Sequence, residues 1–138
     1  MILLLDCDVL LDVALNRQPH FDDSRSILDW CEQHPGAGVV AWHTLANIFY
    51  IFSKDSGAAA AKEFIEDLLE FIEVAAVQTA QAKHALALAM PDFEDGLQVA
   101  AAVSAGADFI VTRNVGDYAG SSIAARTPTT MRPLLPGM

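Results

Sequence analysis

The segment Ile2–Leu3–Leu4–Leu5 is apolar without interruption and stops at Asp6. A strand with one wet face alternates apolar and polar residues, so an unbroken apolar run this short reads as a strand buried on both faces. Such a strand needs helices above and below it, and the remaining sequence supplies them. A helix is predicted over 9–15, capped by Asp8 and broken by the Asn-Arg-Gln-Pro segment at 16–19. A second covers 21–34, with Ile27, Leu28 and Cys31 inward. Residues 38–42 read as the second strand and 44–53 as an apolar helix. After Ser56–Gly57 comes a helix over 58–71, burying Phe64, Ile65, Leu68, Leu69 and Ile72 and wetting Glu63, Glu66, Asp67 and Glu70. A third strand covers 72–77. Thr79 caps a helix over 80–89, and Asp92 caps one over 93–104, which Gly106 closes. A fourth strand (108–112) and a short fifth (123–125) follow. The end, with Pro128, Pro133 and Pro136, closes on a short turn or helix and then frays.

Short apolar strands alternating with helices form right-handed βαβ units. The expected class is therefore α/β: a three-layer α/β/α arrangement with a mainly parallel sheet of four to five strands. The chain has 138 residues, 53% of them hydrophobic and 19% charged, which suits a single domain over 1–138 with a core that needs no staples. Two cysteines, Cys7 and Cys31, without a CxxC or CxxH partner, exclude a disulfide scaffold and point to a reduced cytoplasmic setting. The stretch 35–53 lacks Asp, Glu, Lys and Arg, yet its glycines, His43, Thr44 and Asn47 suit a buried strand and helix better than a membrane span. No targeting segment is expected, since the apolar start lacks a basic region and contains two aspartates. Eight basic residues against 18 acidic ones give a formal net charge of −10. That field repels nucleic acid at long range, and no Lys/Arg run offsets it.

In parallel sheets, ligands bind beyond the carboxyl ends of the strands. That rule selects three acidic groups: Asp6 at the end of the first strand, Asp92, Glu94 and Asp95 at a helix start, and Asn114 with Asp117 after the fourth strand. Carboxylates crowded on one rim raise one another's pKa values or share a divalent cation. Oxygen ligands without His or Cys favour Mg²⁺ or Mn²⁺ over zinc. Asp8 and Asp92 are accounted for as helix caps. Asp6, closing a wholly apolar strand, and Asp95, opening a core-like helix, call for a functional reason. His20, His34, His43 and His84 have no metal-ligand spacing. Cys7, between two acids, carries a raised pKa and is no nucleophile. Trp30, Phe49, Tyr50 and Phe52 read as core.

The opening LLLDCDVLLD is similar to that of haloacid-dehalogenase-like phosphatases, with Asp6 as nucleophile and Asp8 as acid/base. That likeness ends after about ten residues, because the lysine and late acidic pair it needs are missing beyond Lys83 and Asp117. A longer likeness runs through LLLDCDVLLDVALNRQP, VVAWHTLANIFYIF and DFEDGLQVAAAVSAGADFIVTRNVGDY, with Thr127–Pro128 after them. In this order the blocks resemble the PIN-domain family of metal-dependent ribonucleases, which includes VapC-type toxins.

The resemblance implies catalytic roles for Asp6, Asp95 and Asp117, with the same three and Asn114 around Mg²⁺ or Mn²⁺. Thr112 would orient a water or ligand, Asp92 and Arg113 would support the site, and Arg17 or Arg113 would recruit phosphate. It further implies an RNA substrate cut to 5′-phosphate and 3′-hydroxyl ends, an antitoxin partner, a homodimer and a cytoplasmic location. Asn47 stands where many members carry glutamate. An asparagine keeps an oxygen donor but removes one negative charge, which leaves a catalytically weak PIN-like binding domain as the alternative.

Overall fold

The computed structural model describes residues 1–137. β1 (Leu3–Leu5) lies at the centre of a five-stranded sheet, flanked by β2 (Gly38–Val40) and β4 (Phe109–Val111), with β3 (Ile72–Val74) and β5 (Ala124–Arg126) at the edges. All pairings are parallel, with Leu4 opposite both Val39 and Ile110. The strand order β3-β2-β1-β4-β5 reverses direction between β1 and β4, the place where sheets of this kind open a crevice.

Side chains alternate across the sheet as the pleat requires. Leu3, Leu5, Val40 and Val111 pack on one face with α1 (Cys7–Ala14), α2 (Phe21–Gln33), α3 (Trp42–Ser56), α4 (Ala58–Leu68) and α7 (Pro128–Met131). Leu4, Val39 and Ile110 pack on the other with α6 (Phe93–Ala105), against which α5 (Thr79–Ala87) lies. The three layers and the parallel sheet are those the strand–helix alternation predicts. Among the described residues, no helix is long and apolar enough to cross a membrane.

Several local expectations are corrected. Asp6, not Asp8, caps α1: it keeps extended backbone (φ −75°, ψ 156°) and its carboxylate accepts from the Cys7 amide at 2.7 Å. α3 begins at Trp42, because β2 ends at Val40, and it runs to Ser56, where Gly57 adopts φ +91°. With β2 ended at Val40, β3 stops at Val74, the Ala75 amide still donating to the Val40 carbonyl at 2.9 Å. α5 is capped by Gln78, which exchanges hydrogen bonds with Gln81, rather than by Thr79. Gly106 does close α6, in the left-handed conformation its lack of Cβ permits (φ +67°).

Leu69 lies past the end of α4 and is exposed, and Tyr50 sits on the outer face of α3, 61% exposed, so neither belongs to the core. A 3-10 turn, Val115–Tyr118, follows β4 unforeseen. The C-terminal segment docks rather than frays through Pro136: Leu135 is buried, and the Trp30 indole donates to the Pro136 carbonyl at 2.9 Å. Met138 lies outside the described residues.

Candidate active site

The carboxyl ends of β1 and β4 and the first turn of α6 meet at a cavity of about 320 Å³. Asp6, Asp8, Glu94, Asp95 and Asp117 line it, together with Asn47, Asn114, Cys7 and Arg17. Of the residues expected in the site, Asp6, Asn47, Asp95, Asn114 and Asp117 therefore share one cavity. Thr112 is fully buried and reaches the cavity through Asp6, to which its Oγ1 donates, and Asn114, whose amide donates to that Oγ1 at 3.0 Å. Asp92 caps α6 through the Glu94 amide and lies in an adjoining recess that Asp95 and Asp117 also line. Arg113 is not in the cavity; it turns to Asp12 on α1, and its Nε donates to that carboxylate at 2.8 Å.

Asp6 is held more tightly than a lone strand-end acid. Oδ1 accepts from the Cys7 amide (2.7 Å) and from Gln98 Nε2 (3.0 Å), and Oδ2 from Thr112 Oγ1 (2.9 Å) and Tyr118 Oη (3.1 Å). Four donors match the lone-pair capacity of a carboxylate, which explains how this one lies only 9% exposed. Gln98, Thr112 and Tyr118 are themselves buried, so the carboxylate is fixed by packed groups. Asp8 departs from its expected capping role: Oδ2 accepts from the Arg113 amide and Asn114 Nδ2, each at 3.1 Å, while the buried Oδ1 has no partner among the described residues.

The charges strain one another. Burial, then Glu94, Asp92 and Asp117, pushes Asp95 from an ordinary 3.8 up to about 7. Burial and the Asp6 charge push Asp8 up to about 6. Glu94 is held below its usual range chiefly by His43, whose Nε2 lies 3.1 Å from it. Burial first, then Asp6 and Asp8, pushes Cys7 to about 12, so its thiol stays neutral.

Among the described residues, Asp92, Glu94 and Asp95 are the one group of three carboxylates whose oxygens all lie within 4.8 Å of one another. Asp6, Asp95 and Asp117 do not form a second such group. Carboxylate and amide oxygens, mutual repulsion and an unpartnered Asp8 oxygen fit a hard divalent cation. The phosphatase reading fares worse, since no lysine lines the cavity.

Sequence reasoning placed Glu94 among the acids without a role and passed over Gln98, Tyr118 and Asp12. Gln98 follows Asp95 by three residues, one helical turn, and so stands on the same face; that spacing was the available signal. Tyr118 offered only its adjacency to Asp117.

The sequence profile of the PIN domain matches residues 3–116. Comparison by sequence with curated proteins finds no match. Among solved structures, VapBC2 from Rickettsia felis bound to a promoter DNA fragment is similar with a TM-score of 0.71 at 15% identity, over 92% of this chain and 98% of that one. FitAcB from Neisseria gonorrhoeae aligns at 0.65 and 17%, over 93% and 99%. VapC20 of Mycobacterium tuberculosis, a toxin that cleaves the sarcin–ricin loop, aligns at 0.61 and 12%, over 78% and 86%.

Proposed function

Since the chain belongs to the PIN-domain family, we propose that it is an Mg²⁺- or Mn²⁺-dependent endoribonuclease and the toxin of a toxin–antitoxin pair. The observation that carries the nuclease reading is the convergence of Asp6, Asp8, Glu94, Asp95 and Asp117 on one cavity at the β1–β4 reversal. The likeness in fold to VapC20, a toxin that cleaves the sarcin–ricin loop, and to VapBC2, solved on a promoter DNA fragment, supports the toxin role.

Asp95 and Asp117 are the carboxylates we assign to hold the cation, with Asp6 fixed behind them by its four donors and Asn47 and Asn114 adding neutral oxygens. When bound there, the cation supplies Lewis acidity towards a phosphodiester and offsets the charge that develops on it. Arg17, the cation lining the cavity, draws a phosphate against the net negative field. Cys7 stays protonated and takes no nucleophilic part.

The test is a Mn²⁺ titration with end-labelled single-stranded RNA and, separately, a generic phosphate ester. Cleavage of RNA to 5′-phosphate ends, absent in chelator and in Asp95→Asn, is the expected result. The Asp95→Asn protein should melt no lower than wild type in chelator, because the substitution relieves repulsion. An Asp95→Asn protein that unfolds makes Asp95 a structural residue; turnover of the ester in place of RNA restores the phosphatase.

A further inference from the structure

Asp12 is fully buried on α1, where a carboxylate is costly unless paired. Oδ2 accepts from Ser24 Oγ (3.1 Å) and from Arg113 Nε (2.8 Å), while Oδ1 has no partner among the described residues. The fold thus keeps an imperfectly satisfied buried acid at the one place that grips Arg113. The Arg113 amide is also fixed, on Asp8. Its guanidinium is therefore immobilised along one edge, with 29% of the side chain open and no described residue hydrogen-bonded to its Nη groups. Arg113 lines a recess of about 260 Å³, shared with His20, Thr127 and Thr129. The acid lining the recess, Asp23, is engaged by Arg132 and by Thr129 Oγ1, both at 2.6 Å. Asn114, the next residue after Arg113, lines the acidic cavity, so recess and cavity are lined by consecutive residues where the chain leaves β4.

We propose that this recess is an RNA phosphate subsite, in which Arg113, held in place by Asp12, takes the backbone phosphate next to the one in the acidic cavity. A pre-fixed guanidinium suits a phosphodiester because it presents its fork without losing further side-chain freedom. The proposal rests on the ribonuclease reading and adds a site to it: phosphate contacts fix the register of a strand without reading its sequence.

The test measures binding of a fluorescent single-stranded RNA by anisotropy across a salt series, with every protein in the Asp95→Asn background and Mg²⁺ present. Arg113→Gln should weaken binding roughly tenfold at low salt, as loss of a charge-assisted hydrogen bond does. It should also flatten the slope of log affinity against log salt by about 0.7, the loss of one phosphate contact on a single strand. Because Arg113→Gln leaves Asp12 unpaired and can unfold the chain, Asp12→Asn/Arg113→Gln is measured beside it. That double variant removes both charges, so its melting temperature should lie closer to the parent's while its RNA affinity stays weak. Parental affinity and salt slope in a folded double variant would make Arg113 only the counter-ion of Asp12 and overturn the subsite. Cleavage by the otherwise wild-type protein separates the two failures: RNA cut normally with no Arg113 effect on binding sinks the subsite alone, whereas neither cutting nor binding sinks the ribonuclease reading with it.

Discussion

Asp6 ends a strand, caps a helix and faces the cavity, and its carboxylate accepts from four donors at once. Asn47 lines the same cavity from α3 with no charge of its own, so restoring glutamate there separates metal chemistry from packing. In chelator, Asn47→Glu adds a carboxylate to a crowded set and should lower the melting temperature, with the new side chain's own pKa raised. With Mn²⁺ the same carboxylate adds a hard ligand, so the metal-induced rise should exceed that of wild type by mass action. Equal metal-induced shifts in the two proteins would place residue 47 out of reach of the cation. Asp8 read as a cap alone, whereas Asp6, Glu94, Asp95 and Asp117 were legible because they stand at a strand end, a helix start or just past a strand, positions that a sequence displays directly. The groups that fix them were not. Gln98 and Tyr118 reach Asp6 across 92 and 112 residues, and such pairings depend on helix rotation and sheet register that one sequence does not encode locally.

At the scale of elements, the βαβ rhythm was legible because unbroken apolar runs and amphipathic stripes alternate along the chain. Strand ends were not, since they are set by where a neighbour leaves the sheet, as β3 shows when it stops with β2. Cap choice was missed for a similar reason: Asp6 and Asp8, two residues apart, are equally good caps, and pairing with β4 decides which residue still belongs to the strand. Gly38 is the tightest of the described glycine positions. A Cβ placed there would lie 2.5 Å from Ile72 Cδ1 on β3 and 2.8 Å from Cys31 Sγ on α2. Gly38→Ala should therefore cost about 1–3 kcal/mol, the usual price of overpacking a closed core. Chemical denaturation checks it, and Ile72→Val, which deletes the Cδ1 methyl, should return part of the loss in the double variant. Additive losses would mean that β2 and β3 shift freely and that their contact is not rigid.

For the whole molecule, the net charge of −10 and the crowded cavity act together on stability through protons and metal. Asp8 and Asp95 ionise near 3.8 when exposed, and in the folded chain near about 6 and about 7 respectively. Between the lower and upper values the folded state holds protons that the unfolded chain has released, so stability falls as pH rises through that window. Glu94 and Asp23 have the opposite sign, their pKa values lowered by His43 and by Thr129 and Arg132. Their contribution is present above the ordinary values of 4.5 and 3.8 and is lost as pH falls through the folded ones, so it is level from neutrality down to about pH 5. The metal-free protein should therefore melt highest near pH ~5 and progressively lower towards pH ~8. A divalent cation binds the deprotonated carboxylates, so Mn²⁺ should raise the melting temperature more at pH ~8 than at pH ~5, shrinking or reversing the fall. Asp95→Asn removes the larger of the two raised groups and should flatten the chelator curve. Melting scans across that range, in chelator and in Mn²⁺, decide the matter. A metal-free curve that rises from pH ~5 to ~8 would mean that the cavity's carboxylates are not in conflict, and the physical case for a cation among them would go with it.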